Sequence, residues 1–262
     1  MPRRSPKERP ALKERRSPSG NKRMDKGRRK GKKAATIPAL ESWGPPVERH
    51  AVRAESFCDM EELARAVRQC TACGLSDRRI RAVPGEGSGC SGIVLVGEAP
   101  GAKEDKQGKP FVGSAGKLLG KLLAERAKLS RDEVFITNVV KCRPPKNRPP
   151  TGTEVEACRP YLLRQLELLG PRLVCPMGNS AVRALLDPKA NITGLHGKPV
   201  ESGGRRLMPL FHPAAVIYNR KLMGEMEKDF RMLGRLAREG KGGGGEEGAD
   251  GCSGSGGGGE EE

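Results

Sequence analysis

The sequence predicts an α/β fold in which a mainly parallel sheet is covered on both faces by helices. Three apolar runs, at residues 93–96, 134–140 and 173–177, have the composition of buried strands. A segment with helical periodicity comes after each run. Because strands that alternate with helices form βαβ units, we expect the strands to be parallel and to end at one edge of the sheet.

The helices are predicted from leucine spacing and from capping signals. Leucines three and four residues apart indicate a helix over 114–127. Thr151 followed by Glu154 is a capping-box signature, and it begins a predicted helix that runs to about residue 169. His212 precedes a proline and is expected to open a short helix. Further helices are predicted over 61–68, over 180–186 and over 222–238, the second of them with Asn179 as its N-cap. A hairpin is predicted at 198–210.

Composition divides the chain into one domain and two tails. It has 262 residues and a net charge of +17. Residues 1–50 are basic and rich in Pro, Ser and Gly, and residues 240–262 consist mainly of Gly and Glu. Neither segment has the apolar surface needed to offset the entropy of ordering, so both are predicted to be disordered. A single domain is predicted at 51–239.

Charge and hydrophobic pattern limit the classes of partner. A basic domain with a more basic arm indicates a polyanionic partner. No run approaches the roughly 18 apolar residues of a membrane span, and the N-terminus lacks the hydrophobic segment of a secretory signal. We therefore predict a cytoplasmic protein that acts as a monomer.

The most informative motif is the Gly/Pro-rich segment after the first predicted strand. It reads Gly-Glu-Ala-Pro-Gly at 97–101 and runs on to Pro-Phe-Val-Gly at 110–113. It contains two carboxylates, Glu98 and Glu104, and an aromatic residue, Phe111, in a chain that is only 3% aromatic. Since α/β folds bind ligands at the carboxyl ends of their strands, this segment predicts a ligand site.

Four of the eight cysteines have the placement of metal ligands. Cys70 and Cys73 form a chelating pair, Cys142 lies at the end of the second predicted strand, and Cys158 lies in the capped helix. Four thiolates suit zinc or an iron–sulfur cluster, and the wide second pair favours a 4Fe–4S cluster over a zinc ribbon. The alternative is that Cys142 and Cys158 are core residues and only the first pair binds metal.

Several motifs in a fixed order resemble those of the thermostable-type (family 4) uracil-DNA glycosylases, which carry a 4Fe–4S cluster. Besides the four cysteines, the matching segments lie at 97–101, 110–113, 137–145 and 212–215. The resemblance covers about residues 70–230 and implies a three-layer αβα sandwich around a mainly parallel four-stranded sheet. It also implies a DNA repair enzyme that flips uracil out of DNA, hydrolyses its N-glycosidic bond and holds the cluster on the four cysteines.

The resemblance implies a role for each candidate site residue. A flipped uracil needs a stacking surface, a reader of its edge and a stabiliser for the charge that it takes away. Phe111 would stack on the base, Asn138 would read its edge with an amide that both donates and accepts, and His212 would stabilise the uracil anion.

The backbone of Gly97, Glu98 and Ala99 is expected to wrap the base. The sequence leaves open whether Glu98, Glu104 or neither of them orients the attacking water. The candidate catalytic residues are therefore His212, Glu98 and Asn138.

The loop after the second strand is expected to contact the DNA backbone through Arg143, Lys146 and Arg148. The partner would be uracil-containing DNA, single- or double-stranded, and the protein would be associated with the nucleoid. The competing hypothesis is a non-catalytic nucleic-acid-binding protein with a structural metal–thiolate site. A covalent uracil-trapping glycosylase is disfavoured because 144–150 contains no histidine, and a zinc deaminase because no histidine has a glutamate two residues later.

Overall fold

A computed structural model describes residues 57–239, so the predicted tails at 1–50 and 240–262 lie outside the described residues. The helices are α1 (Met60–Gln69), α2 (Ala102–Gln107), α3 (Ser114–Leu122), α4 (Gly152–Leu169), α5 (Gly178–Leu185), α6 (Ile192–Leu195), α7 (Pro213–Tyr218) and α8 (Met223–Glu239). The strands are β1 (Ile93–Gly97), β2 (Phe135–Asn138), β3 (Leu173–Pro176), β4 (Val200–Ser202) and β5 (Arg205–Leu207). No helix among these residues is long and apolar enough to cross a membrane.

The sheet has the order β2-β1-β3-β5-β4, and only the β4–β5 pair is antiparallel. The predicted mainly parallel sheet is thus confirmed, but the count of four strands is wrong. Both arms of the 198–210 hairpin join the sheet, because β5 pairs with β3 through Leu207 and Val174. Each arm has three residues and no apolar run, so its sequence gives a weak strand signal.

The first two strands bring two of the predicted site residues together. All residues of β1 and β2 are buried, and the parallel register places Gly97 beside Asn138 at the carboxyl ends. β2 is shorter than the predicted run of 134–140. It ends at Asn138, and the next two residues stay close to β1, since Val139 donates its N–H to the Gly97 carbonyl and Val140 donates to the Glu98 carbonyl.

Helix signals in the sequence are mostly confirmed. α3 continues into a π-helical turn at Leu123–Ala127, and both elements pack leucines into the core. The Thr151–Glu154 capping box forms as predicted at the start of α4. His212 is the N-cap of α7.

The predicted N-cap at Asn179 is wrong. α5 begins one residue before it, at Gly178, and its N-cap is Met177. Asn179 Oδ1 instead accepts a hydrogen bond of 2.9 Å from the N–H of Ile192, which ties α5 to the start of α6. This partner lies 13 residues away, so local sequence does not reveal it.

Candidate active site

Asn138 carries the site's most unusual feature, a buried acceptor without a donor. Its side chain is 1% exposed, and Oδ1 has no hydrogen-bond partner among the described residues. Leaving a buried amide oxygen unpaired costs roughly 1–3 kcal/mol, so such atoms are rare outside functional sites. The position at a strand end, beside the Gly/Pro-rich loop, makes Oδ1 a candidate for ligand contact.

Residue 97 must be glycine, because neighbouring side chains approach its backbone too closely for a Cβ atom. A Cβ at residue 97 would overlap Asn138 Oδ1 and would lie only 2.7 Å from the ring of Phe111. Asn138 and Phe111, which the sequence placed in one site with Gly97, therefore both approach position 97 so closely that only glycine fits there.

Phe111 is held in a strained conformation. Its φ is +51°, which a non-glycine residue rarely adopts, and its side chain is 7% exposed. Arg131 donates to the carbonyls of both Pro110 and Phe111. The backbone of Gly116 in α3 lies directly against the Phe111 carbonyl, where a Cβ would collide. The ring is thus oriented by its surroundings.

Glu104 holds the same loop from the other side. Its Oε1 accepts hydrogen bonds from the N–H groups of Val112 (3.0 Å) and Gly113 (2.8 Å). Glu104 lies in α2, a helix inside the motif that the sequence did not predict. Its carboxylate therefore positions the loop that follows Phe111.

Glu98 has a different partner. Its carboxylate accepts a hydrogen bond from Ser180 Oγ in α5. Sequence reasoning missed Ser180, although its place in the first turn after the third strand puts it at the same edge of the sheet. Ala99, the next residue of the motif, is partly buried and packs against the core.

The His212 ring packs against the Phe111 ring, with ring centroids 5.5 Å apart and planes tilted by 32°. Its Nδ1 accepts a hydrogen bond of 3.1 Å from the N–H of Ala214. In the neutral ring the proton is therefore on Nε2, which is left as a donor. Burial lowers the pKa of His212 to about 4, against the opposing effect of the Glu104 carboxylate. The imidazole is neutral at pH 7.

The four predicted cysteine ligands line a single cavity, which we call the cysteine site. Cys142 and Cys158 are buried, and Cys70 and Cys73 are partly buried. Four cysteines around one cavity are the donor set of iron–sulfur clusters, so the residues fit such a group. Among residues 57–239, no three His, Cys, Asp or Glu side chains are close enough to hold a single metal ion.

Two basic residues face the cysteine site. Arg79 donates to Cys142 Sγ (3.2 Å) and to the carbonyl of Cys70 (2.7 Å), and the N–H of Lys141 donates to Cys158 Sγ (3.2 Å). Burial raises the pKa of the Cys142 thiol, and it raises the pKa of Cys158 to about 12. Metal binding to these thiols would therefore release protons.

The three residues predicted to contact the DNA backbone differ in whether their side chains already have a partner within the protein. Arg148 forms a two-pronged ion pair with Glu154, at 2.6 and 2.8 Å, and so braces the capping box of α4. Arg143 donates to Asn147 Oδ1 at 2.8 Å. Lys146, in an exposed turn with φ +55°, has no side-chain partner among the described residues.

A groove of about 640 Å³ lies beside the Phe111 loop. Its lining includes Arg68, Arg81 and Lys109, and Lys109 lies two residues before Phe111. The side chains of Arg68 and Arg81 have no hydrogen-bond or ion-pair partner in the described part of the chain, and Ile80 beside them is 61% exposed. On α7, Tyr218 is 91% exposed. Only its exposure distinguishes it, so sequence reasoning did not select it.

Comparison with known proteins identifies the family. Residues 84–233 match the model of the uracil DNA glycosylase superfamily. The chain is 42% identical to a type-4 uracil-DNA glycosylase of Sulfurisphaera tokodaii, over 68% of this chain and 84% of the relative. It is 45% identical to a type-4 uracil-DNA glycosylase of Pyrobaculum aerophilum, over 67% of this chain and 93% of the relative. It is also 42% identical to a type-4 uracil-DNA glycosylase of Archaeoglobus fulgidus, over 68% of this chain and 92% of the relative. The chain therefore belongs to the type-4 family of uracil-DNA glycosylases.

Proposed function

We propose that this protein excises uracil from DNA by hydrolysing the N-glycosidic bond and leaves an abasic site for base excision repair. The observation that carries the proposal is the buried, unpaired Oδ1 of Asn138, which lies next to Phe111 at the carboxyl edge of the sheet. Family membership supports the same activity. A non-catalytic DNA-binding protein gives no reason for such an unpaired amide.

The base is recognised after it leaves the duplex, because the reacting bond is inaccessible inside it. Uracil presents an N–H donor next to a carbonyl acceptor on its pairing edge. The Asn138 amide matches this pair, with Oδ1 accepting from the base N–H and the amide nitrogen donating to the carbonyl. Cytosine presents the reverse pattern and would leave both groups unpaired. Phe111 provides the stacking surface.

Bond cleavage requires stabilisation of the leaving base. As the bond between C1′ and N1 breaks, its electron pair leaves with uracil and the sugar gains oxocarbenium character. The Nε2–H of neutral His212 donates to a uracil carbonyl oxygen and stabilises this charge where water is excluded. A water molecule then adds its oxygen to C1′ and loses a proton.

Glu98 is the better candidate for orienting this water. Its Oε2 is bonded to Ser180, while Oε1 has no partner among the described residues. The carboxylate of Glu104, in contrast, is engaged by two loop N–H groups. We therefore assign the water to Glu98 and loop positioning to Glu104.

The cysteine site is proposed to bind a 4Fe–4S cluster through Cys70, Cys73, Cys142 and Cys158. When bound, the cluster would link the end of α1, the segment after β2 and the middle of α4 through four iron–thiolate bonds. Iron and sulfide analysis of protein purified without oxygen tests this assignment. A sample that contains only zinc would contradict it.

Two basic surfaces are proposed to hold the DNA. The groove of Arg68, Arg81 and Lys109 would follow the backbone near the flipped base, and Lys146, together with Arg143 and Arg148, would contact phosphates beyond the cysteine site. The exposed ring of Tyr218 is suited to stacking against a base. All of these groups belong to one chain, so a monomer suffices. Cytoplasmic and nucleoid location stays a prediction.

The decisive experiment is a cleavage assay. A labelled oligonucleotide with one uracil is incubated with the protein and then treated with alkali, which breaks the strand at abasic sites. Matched oligonucleotides with thymine or cytosine at the same position are the controls. We expect breaks only at uracil. No breaks from a sample that contains iron and sulfide would refute the proposal.

A further inference from the structure

Lys141 is buried without a carboxylate partner. It is the largest fully buried side chain of the described residues, at 1% exposure. Its Nζ donates three hydrogen bonds of 2.7 Å, to Thr137 Oγ1, to the Asn138 carbonyl and to Gln165 Oε1. Lysine is almost never fully buried unless it is paired, and all three of these acceptors are uncharged. The proposed activity gives this ammonium no role.

The acceptors around the ammonium are themselves fixed. Thr137 Oγ1 and Gln165 Nε2 both donate to the Pro84 carbonyl, each at 2.8 Å. The ammonium therefore sits in a rigid polar cage that joins β2, α4 and the segment before β1. The bond from the ammonium to the Asn138 carbonyl holds the backbone of that residue directly.

The main chain of the same residue faces the cysteine site. The Lys141 N–H donates to Cys158 Sγ at 3.2 Å, and Cys142 is the next residue. Lys141 also lines the cavity that the four cysteines share. Iron-bound thiolates carry negative charge, so a cluster on these cysteines would supply the anion that the ammonium lacks.

We propose that Lys141 is a positioning residue that couples the cysteine site to the base-reading amide of Asn138. This inference rests on the proposed function and deepens it. The main-chain N–H of Lys141 donates to Cys158 Sγ, and its ammonium donates to the Asn138 carbonyl. These two contacts keep Asn138 in its register beside Gly97. Displacements of about 1 Å in such a group are enough to cost on the order of a hundredfold in rate.

The test replaces Lys141 by Met, which keeps the length of the side chain and removes its charge. We expect single-turnover excision to slow by about a hundredfold, with unchanged affinity for a uracil-free oligonucleotide and unchanged iron content. The cluster should become harder to reduce, because the positive charge of a residue that lines the same cavity is lost. The exposed Lys189→Met change is the matched control and should leave both the rate and the potential at wild-type values.

Two further variants keep the test decisive if Lys141→Met does not fold. Thr137→Val and Gln165→Met each remove one acceptor of the ammonium without touching a cysteine. Each should lower the single-turnover rate about tenfold while the visible spectrum is retained. Wild-type rates in Lys141→Met, or in both of these variants, would overturn the proposal. An inactive wild-type protein would instead refute the glycosylase function itself.

Discussion

At Asn138 the chain buries an amide oxygen and gives it no donor. A ligand that supplied the missing N–H group would recover the energetic cost of this arrangement. We predict that Asn138→Ala lowers single-turnover excision at least about a hundredfold and leaves the affinity for uracil-free DNA unchanged. The helix-capping Asn191→Ala variant loses the same chemical group elsewhere and should keep the wild-type rate. A normal rate for Asn138→Ala would remove this residue from the site.

His212 links the site to the pH dependence of stability. Its pKa is about 4 in the folded protein, below the ordinary value of 6.5, so the unfolded chain binds the extra proton first as the pH falls. The stability from the neutral ring is complete above about pH 6.5 and is lost as the pH falls towards 4.

This linkage is tested by urea unfolding at pH 7.0 and pH 4.5 of the wild type and of His212→Asn, which does not titrate. The wild type should lose about 2 kcal/mol more than the variant between these two pH values. Identical losses would mean that His212 is not buried as a neutral ring.

At the scale of elements, the Phe111 loop depends on α2. The Glu104 carboxylate of this helix accepts from two loop N–H groups, and charge-assisted bonds of this kind are about twice as strong as neutral ones. Glu104→Gln keeps an acceptor oxygen but removes the charge. We expect a loss of about 1 kcal/mol in unfolding free energy and a lower excision rate.

The matched control for this change is Glu201→Gln, on the exposed side of β4. It should alter neither quantity. If Glu104→Gln matched it in both measurements, the carboxylate would have no part in holding the loop.

At the scale of the whole molecule, the net charge of +17 favours binding to a polyanion. Part of this positive charge lines the groove that contains Arg68, Arg81 and Lys109. We predict that the double change of Arg68 and Arg81 to Gln weakens binding to a single-stranded oligonucleotide. The slope of log K against log salt should become shallower by about 0.7 for each phosphate that the variant no longer neutralises.

The control for the groove removes the same charge from the exposed face of α8, by changing Arg235 and Arg238 to Gln. Its salt dependence should remain closer to that of the wild type. An equal change in slope for the two double variants would show that total charge, and no particular groove, governs binding.

Local patterns predicted much of this molecule. The three buried strands, the capping box at Thr151 and the helix start at His212 depend on residues close together in the chain, so the sequence contains their causes. The candidate site was found in the same way, because Gly97 and Asn138 stand at recognisable strand ends and Phe111 belongs to the Gly/Pro-rich segment that follows the first of them. The four cysteines were selected by spacing, and the fold brings them to one cavity.

By itself, then, the sequence determined the mainly parallel sheet, and it selected the candidate site residues Gly97, Phe111 and Asn138 and the four cysteines. Only the tertiary structure decided how the polar groups are paired: Glu98 with Ser180, 82 residues away, and Lys141 with Gln165, 24 residues away. It also placed both strands of the hairpin in the sheet, with β5 beside β3 and β4 at the edge. The physical reason is that a hydrogen bond depends on atoms within about 3 Å, and the fold alone sets such distances between remote residues.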